Sequence, residues 1–315
     1  MLNWAIAGPG RMAAAMAADF PRVTNGEMLA VGSRSIDRAA AFAAEHGIDR
    51  AYGSYAELIA DPDVDALYIA TPHAQHAELA LAAIEARKAV LVEKAFTTSV
   101  AETSRVIEAA RAAGVFAMEA MWTRFNPGIV EARRLVESGE IGELRAMQGD
   151  LIAYRAFDAS DRLFAADLGG GAVLDLGVYV LSLAQYFMGT PTAVHAHGGT
   201  YSTGVEGEFG ALVGYPDGRT ATLAAAFTAR GPGRMMLVGT DGWIDLHPRF
   251  HRVPALTLWR GSESETLRFD SGYHYQVIHA GECIDAGLTE SPVMPLSDTQ
   301  EVQQLMAEVL NQIHS

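Results

Sequence analysis

Apolar residues fall into two alternating patterns along the first 120 residues. Short apolar segments that break at glycine or polar residues are typical of buried strands, whereas longer segments with apolar positions at helical spacing are typical of helices. The pattern predicts strands at residues 2–7, 28–31, 66–70, 89–92 and 115–118. It predicts helices at residues 11–20, 35–47, 73–87 and 99–114, and a short helix after residue 54. Strands and helices that alternate in this way form a parallel sheet covered by helices on both faces.

Serine and glycine residues mark the ends of these helices. Ser54 and Ser99 are each followed three residues later by glutamate, which is the capping-box pattern. We expect Ser35 to cap the second helix in the same way, and we expect Gly47 and Gly114 to end helices.

The pattern changes after Met121. Helices are predicted at residues 127–138 and 172–187, with a long strand at 144–154 between them, and two further helices close the chain near 274–286 and 298–312. Extended segments between residues 193 and 227 are separated by glycine-rich turns, which are typical of antiparallel hairpins. We therefore expect an α/β protein with a doubly wound parallel sheet at residues 1–120. An α+β domain with a large, open, mostly antiparallel sheet is expected at 121–315, its last helix able to pack back on the first domain.

Charge and composition narrow the possible functions. Of the 315 residues, 23 are lysine or arginine and 38 are aspartate or glutamate, so the formal net charge is −15. This acidity argues against binding to nucleic-acid phosphates or anionic lipid, because both need clustered cations. No apolar run approaches the roughly 18 residues of a membrane helix. The single cysteine, Cys283, excludes an internal disulfide, and we expect a cytoplasmic protein with no nucleic-acid or membrane partner.

A glycine motif joins the first predicted strand to the first predicted helix. Residues 8–13 read Gly-Pro-Gly-Arg-Met-Ala and fit the pattern G-x-G-x-x-A. Gly8 permits a tight turn, and Gly10 lets the backbone approach a pyrophosphate. The helix that begins at Arg11 and Met12 offers N–H groups and a positive dipole end to the phosphates. The alternative is an ordinary glycine turn, but the strand–turn–helix context favours a Rossmann dinucleotide site.

The residues after the second strand bear on which dinucleotide binds. Sites that prefer NAD place an acidic residue there to hold the ribose 2′-hydroxyl, whereas this chain has Ser33 and Arg34. A guanidinium pairs well with a 2′-phosphate, and Arg38 lies one helical turn further on. We predict NADP(H) as the cofactor, with a solvated loop charge as the alternative for Arg34.

Lys94, Asp175 and Tyr179 are candidates for the chemistry. Glu93 and Lys94 end the fourth strand, at the sheet edge where ligands of open α/β sheets bind. Asp175 and Tyr179 are four residues apart and share one face of a predicted helix, after three glycines at 169–171. Lysine, aspartate and tyrosine around a carbinol could exchange its proton and orient its hydroxyl. The alternatives are a surface lysine beside Glu93 and a half-buried packing tyrosine.

Five motifs, in this order along the chain, resemble the glucose–fructose oxidoreductase / inositol dehydrogenase (Gfo/Idh/MocA) family. They are G-x-G-x-x-A at residues 8–13, Ala-Thr-Pro-x-x-x-His at 70–76, Glu-Lys at 93–94, Gly-Gly-Gly at 169–171 and Asp-x-Gly-x-Tyr at 175–179. The stretch Met-Glu-Ala-Met-Trp-Thr-Arg-Phe at 118–125 is similar to the branch with dihydrodiol and D-xylose dehydrogenases.

The resemblance implies a role for each matching residue. Lys94 matches a lysine near nicotinamide and substrate, Tyr179 matches the acid/base, and Asp175 matches the accompanying carboxylate. Thr71, Pro72 and His76 match the loop and helix start beside the cofactor, and Trp122 and Arg124 match residues that line the cofactor and substrate cleft. Glu93 belongs to the Glu-Lys motif of the cofactor site. His73 stands where the family commonly has asparagine, and either residue type could hydrogen-bond near the nicotinamide. The resemblance also implies a homodimer formed through the C-terminal sheet. Ala95 stands where the family has proline, and because a non-proline cis bond costs about 2.5–4 kcal/mol, we expect a trans bond there.

These features predict an NADP(H)-dependent oxidoreductase. It would move a hydride between nicotinamide and a carbinol or hemiacetal carbon of a sugar, cyclic polyol or trans-dihydrodiol. Lys94, Trp122, Phe157, Asp175 and Tyr179 are the predicted substrate contacts, and packing in the core is the alternative for the aromatic residues. No metal site is expected, because the paired histidines lack a carboxylate motif. A cofactor-binding sensor without turnover and a redox-assisted glycosidase of the same fold remain as alternative functions.

Overall fold

The computed structural model describes all of residues 1–315. The chain forms two compact units, of which the first comprises Met1–Trp122 and Gly272–Gln300 and the second comprises Thr123–Ser271 and Glu301–Ser315. The second unit is thus not the continuous stretch 121–315 that the sequence pattern predicts, because residues 272–300 return to the first.

Backbone and side-chain hydrogen bonds fasten this returning segment inside the first unit. The Ala117 N–H donates to the carbonyl of Thr289, and the Asn25 side chain donates to the carbonyl of Ile278 at 2.8 Å. These partners are far apart in the chain, so local sequence patterns carry no sign of them.

The first unit is built on a six-stranded sheet in which every strand is parallel to its neighbours. Its strands are β1 (Leu2–Ala7), β2 (Gly26–Gly32), β3 (Arg50–Tyr52), β4 (Ala66–Ile69), β5 (Ala89–Glu93) and β6 (Ala117–Ala120), in the spatial order β3-β2-β1-β4-β5-β6. The helices between them are α1 (Arg11–Asp19), α2 (Ile36–His46), α3 (Tyr55–Ala60), α4 (His76–Glu85) and α5 (Val100–Ala113). The prediction of a doubly wound parallel sheet is confirmed.

The predicted helix ends are confirmed as well. The side chains of Ser35, Ser54 and Ser99 each accept the N–H of the residue three positions on, and Gly47 and Gly114 end α2 and α5 in the left-handed conformation. The short strand β3 is absent from the predicted pattern, because three residues are too few to show an alternation.

The second unit contains α6 (Pro127–Glu137), α7 (Val178–Met188), most of the last helix of the chain and an eight-stranded sheet. The strands are β7 (Leu144–Ile152), β8 (Ala193–Thr200), β9 (Glu206–Gly214), β10 (Thr220–Ala226), β11 (Met235–Gly239), β12 (Gly242–Leu246), β13 (Ala255–Arg260) and β14 (Glu263–Arg268). Their order is β14-β13-β12-β11-β7-β10-β9-β8, and only the pair β7 and β10 is parallel. The predicted open, mostly antiparallel sheet is confirmed.

Two helices complete the chain, α8 (His274–Asp285) and α9 (Leu296–Ile313). Single turns of 3₁₀ helix occur at Phe20–Arg22, His73–Gln75, Trp122–Phe125, Arg162–Phe164 and Ala166–Leu168, and a π-helical turn, Val173–Gly177, leads directly into α7.

One stretch corrects the expectation that no segment has the length and hydropathy of a membrane span. Residues Ala166–Met188 reach a mean hydropathy of 1.4 over 18 residues. The structure buries 89% of that window inside the protein, as it does for a core helix. The apolar character of α7 is therefore explained by packing within the fold.

Candidate active site

The glycine turn after β1 packs closely at Gly8 and leaves open space at Gly10. Gly8 has φ +97°, and a Cβ there would lie 2.8 Å from Cγ2 of Thr71. Gly10 has φ −106° and precedes α1 without a side-chain cap, and the only heavy atom within 4 Å of a Cβ there is the Ala70 carbonyl oxygen, at 3.9 Å. The N–H groups of the first turn of α1 therefore face a position that a phosphate can approach. Arg11 and Met12 form that first turn, and Arg11 is exposed.

A buried hydroxyl beside this turn supports the same interpretation. Thr71 is 8% exposed, and its Oγ1 has no hydrogen-bond partner in the protein. A buried hydroxyl without a partner is unfavourable unless a ligand supplies one. Thr71 lies against Gly8, so the turn, the uncapped helix and this hydroxyl together fit a dinucleotide.

The end of β2 carries positive charge without a carboxylate partner. Ser33 is buried, and its Oγ accepts the Ser35 N–H at 3.3 Å. Arg34 and Arg38 are exposed, and neither makes an ion pair. Burial raises the pKa of the Tyr55 phenol, and the positive charges of Arg34 and Arg38 oppose that rise. Tyr55, Arg34 and Arg38 therefore lie close together near the end of β2.

Two buried histidines connect the ends of β4 and β5. His73 Nε2 lies 3.2 Å from the Lys94 carbonyl oxygen, and His76 Nδ1 lies 3.0 Å from that of Ala95. His76 Nε2 also lies 2.9 Å from the Thr71 carbonyl oxygen. A neutral imidazole can donate to one of these two carbonyls, whereas an imidazolium donates to both. Pro72 precedes the single 3₁₀ turn that presents His73, and His76 is the first residue of α4.

The peptide bond between Lys94 and Ala95 is cis. The expectation of a trans bond was wrong, because it rested only on the general preference of a residue pair without proline for the trans form. The carbonyls of both residues are contacted by the histidine rings, and both residues are buried. Such long-range contacts are outside the reach of the local argument.

The carboxyl end of β5 is polar although it is buried. Glu93 is 4% exposed and accepts the Tyr68 hydroxyl at 2.5 Å, and Lys94 is 7% exposed. On the neighbouring strand β6, the Glu119 carboxylate accepts the Phe96 N–H at 3.1 Å. Lys94 is therefore buried, and the alternative that it is a solvated surface lysine beside Glu93 is wrong.

Trp122 and Arg124 occupy different surroundings although they are only two positions apart. Trp122 is 3% exposed, and its ring lies 4.4 Å from that of Tyr273 within the first unit. The fully buried Arg124 belongs to the second unit, where its guanidinium donates to Ser182 and to the Gln185 side chain, both on α7. Arg124 thus fixes α7, and its predicted contact with the cofactor stays a prediction.

Asp175 and Tyr179 stand on two kinds of helix. Asp175 lies in the π-helical turn, and Tyr179 lies in the first turn of α7. The prediction of one continuous α-helix is therefore wrong here, since a π turn spaces side chains differently. Tyr179 is 7% exposed, and its ring lies 5.5 Å from the His251 ring. Asp175 Oδ1 lies 3.7 Å from Nη2 of Arg162.

The sequence interpretation missed Arg162 and His251 as neighbours of these residues. Arg162 begins a single 3₁₀ turn that the apolar pattern does not predict, and His251 belongs to no motif in the sequence. His247, four positions earlier, has its Nε2 2.8 Å from the hydroxyl of Thr257 on β13. No group of three or more histidine, cysteine, aspartate or glutamate side chains is arranged to hold a metal ion.

Phe157 belongs to an aromatic cluster in the second unit. Its ring stacks on Tyr201 at 5.0 Å and meets Phe164 edge-on at 5.2 Å. The side chain is 46% exposed, so part of the ring remains available to a ligand. Its role as a substrate contact stays a prediction.

Two protein-family models match the chain. The oxidoreductase family with an NAD-binding Rossmann fold matches residues 2–121, and the GFO/IDH/MocA C-terminal domain matches residues 129–245. A trans-1,2-dihydrobenzene-1,2-diol dehydrogenase from Xenopus laevis is 32% identical over 326 residues, covering 99% of this chain and 98% of that protein. The enzyme of the same name from Mus musculus is 33% identical over 331 residues, covering 99% and 95%.

Solved structures share the fold over the whole chain. An aldose-aldose oxidoreductase from Caulobacter crescentus, complexed with glycerol, has a TM-score of 0.92 and 25% identity, and the match covers 99% of this chain and 97% of that one. A levoglucosan dehydrogenase in complex with NADH and levoglucosan has a TM-score of 0.90 at 22% identity, with the same coverage. This chain belongs to the GFO/IDH/MocA family of oxidoreductases and has an NAD(P)-binding Rossmann domain.

Proposed function

We propose that this protein is an NADP(H)-dependent dehydrogenase acting on CH–OH groups. The observation that carries the proposal is the pair Asp175 and Tyr179 at the start of α7, in a chain whose first unit has a dinucleotide turn. A phenol and a carboxylate in one helical segment are suited to handle the proton of a substrate hydroxyl.

The cofactor would be held by residues of the first unit. The N–H groups at the start of α1 would bind the pyrophosphate, with Gly10 allowing the close approach, and the Thr71 hydroxyl would gain a partner. Arg34 and Arg38 would bind the 2′-phosphate that distinguishes NADP from NAD, and Ser33 would donate to it.

The proposed reaction balances as a two-electron oxidation of an alcohol to a carbonyl compound. NADP, when bound, supplies the carbon that accepts the hydride from the carbinol C–H. The O–H bond would break at the same time, and Tyr179 in its phenolate form would take that proton and become a neutral phenol. Asp175 would orient a substrate hydroxyl, and the Lys94 ammonium would stabilise negative charge on the substrate oxygen. The reverse reduction uses the same groups in the opposite direction.

The proposed substrates are trans-dihydrodiols, sugars or cyclic polyols. The curated relatives are named for trans-1,2-dihydrobenzene-1,2-diol, and the solved relatives for aldose and levoglucosan. All these molecules present a ring with vicinal hydroxyl groups. The exposed part of Phe157 offers an apolar surface for one face of such a ring.

We also propose a cytoplasmic homodimer formed through the outer face of the eight-stranded sheet. Trp243 and Trp259 stack there at 5.2 Å, and Leu212 on β9 is 47% exposed. These three apolar side chains would pack against the same face of a second copy. The single buried Cys283 is compatible with a reducing compartment.

The cofactor preference is tested by replacing Arg34 with alanine. Loss of charge-assisted hydrogen bonds worth about 1.5–3 kcal/mol should raise the KM for NADP about 10- to 100-fold. The KM for NAD should stay within about twofold. Arg268→Ala is the control, because Arg268 is also exposed but lies on β14. An Arg34→Ala variant that treats NADP as the wild type does would refute the assignment.

A further inference from the structure

The first residue of β9 is a buried carboxylate that touches the turn holding Asp175. Glu206 is 3% exposed, and its Oε1 accepts the N–H of Val173 at 2.8 Å. Val173 is the first residue of the π-helical turn, two positions before Asp175. A helix start has N–H groups without intrahelical partners, so this contact caps the turn from a distant strand.

The fit between β9 and the turn is close at two points. Gly171 has φ +109°, and a Cβ on it would lie 2.1 Å from Oε1 of Glu206. Gly177 ends the turn, and a Cβ there would lie 2.7 Å from the ring of Phe209, also on β9. The glycines on either side therefore let the turn lie directly on this strand, and the Glu206 carboxyl occupies the space below its start.

No charge balances the Glu206 carboxyl. The charged or titratable side chains on the surrounding elements are Arg162, Asp167, Asp175, His195, His197, Tyr201 and Glu208, and none pairs with it. Burial raises the pKa of Glu206 to about 7, and the Val173 N–H opposes that rise. Arg162 instead pairs with Asp175, and Glu208 accepts the hydroxyl of Thr228.

We propose that Glu206 is a positioning residue for the dehydrogenase reaction: its Oε1 holds the Val173 N–H, and the π-helical turn thereby sets the place of the Asp175 carboxylate. The inference rests on the proposed function. A neutral carboxyl or an amide can still accept the Val173 N–H, because one oxygen keeps its lone pairs. A charged carboxylate is costly in this dry position, and opening of the turn would return it to water. The turn should therefore be most rigid while Glu206 is protonated.

The activity test compares two substitutions at this position. Glu206→Gln keeps the acceptor and the shape, whereas Glu206→Leu keeps most of the volume and removes the acceptor. Leucine should lower kcat at least about tenfold with unchanged KM for NADP, since small misplacements of a reacting group are costly. Glutamine should restore most of this loss, and Glu208→Gln on the same strand is the control. A leucine variant with wild-type kcat per cofactor-binding molecule would overturn the proposal.

Hydrogen exchange tests the turn independently of turnover. Protection of the amides in residues 172–178 should fall in the wild type as the pH rises through about 7, and should stay constant in Glu206→Gln after correction for intrinsic rates. An equal pH dependence of protection in the wild type and in Glu206→Gln would contradict the inference. This comparison does not need the Glu206→Leu variant, so it decides the question even if that variant does not fold. If the wild type oxidises no substrate, the proposed function fails, but the exchange result still decides whether Glu206 holds the turn.

Discussion

Replacement of Gly10 by alanine separates a role in cofactor binding from a role in folding. Gly10 has φ −106° and ψ −171°, an extended conformation that alanine adopts freely. The added methyl group would meet one heavy atom of the chain within 4 Å, the Ala70 carbonyl oxygen at 3.9 Å, which is an ordinary contact distance. The folded protein can therefore accept the methyl group without moving.

Two small terms of opposite sign decide the stability of this variant. Fewer unfolded conformations stabilise it by about 0.4–1 kcal/mol, and the poorer N-cap residue costs a similar amount, about 0.5–1 kcal/mol. The apparent Tm should change by no more than about 4 °C. The methyl group, however, points into the space through which a pyrophosphate would approach α1. Loss of one charge-assisted hydrogen bond of about 1.5–3 kcal/mol raises the Kd for NADPH about 10- to 100-fold.

Titration of protein fluorescence with NADPH measures the Kd, and thermal unfolding without cofactor measures the Tm. Gly8→Ala is the comparison, because its positive φ and its 2.8 Å approach to Thr71 Cγ2 predict loss of both stability and affinity. A Gly10→Ala protein that binds NADPH as tightly as the wild type would refute the assignment of the α1 N-terminus to the pyrophosphate.

Three further substitutions have distinct expected outcomes. Tyr179→Phe should lower kcat about 10²–10⁴-fold without changing the Kd for NADPH. Tyr215→Phe is the control and should leave kcat unchanged, because Tyr215 is buried and its hydroxyl has no partner. The pKa of Glu206 is about 7 in the folded protein against an ordinary 4.5, so the wild type loses stability as the pH rises from about 4.5 to 7. Denaturant unfolding should therefore show Glu206→Gln to be about 3 kcal/mol more stable than the wild type at pH 8 and equally stable at pH 4. Leu212→Glu should halve the mass in sedimentation, and Leu288→Glu, with 46% exposure in the first unit, should leave it unchanged. The results that would contradict these predictions are an unchanged kcat in Tyr179→Phe, an equal stability of Glu206→Gln and the wild type at pH 8, and an intact dimer in Leu212→Glu.

Local features of the fold could be predicted from the sequence because each depends on neighbours in the chain. Ser54 and Ser99 cap their helices through N–H groups three residues away, and Gly8 adopts the positive φ that the turn requires. The hairpins of the second unit follow from turn residues in the same way. Features of this kind need no knowledge of the tertiary structure.

The candidate site could be predicted only in part, because its remaining features depend on distant partners. The cis bond after Lys94 is surrounded by rings from the end of β4, and the π-helical turn lies on Glu206 and Phe209 of β9. Arg162 approaches Asp175 from a single 3₁₀ turn between β7 and α7. A sequence pattern records residue types and spacing along the chain, and it contains no information about which strand lies beneath which helix.

The central claim is tested most directly by following the near-ultraviolet absorbance of reduced nicotinamide. Purified protein would be mixed with NADP or NAD and with trans-1,2-dihydrobenzene-1,2-diol, a panel of aldoses and a panel of cyclic polyols. We expect absorbance to grow with NADP and one of these substrate classes, and to grow far more slowly in the Tyr179→Phe protein. Absence of cofactor reduction across all substrates, while NADPH binding remains detectable by fluorescence, would contradict the account and favour a cofactor-binding protein without dehydrogenase turnover.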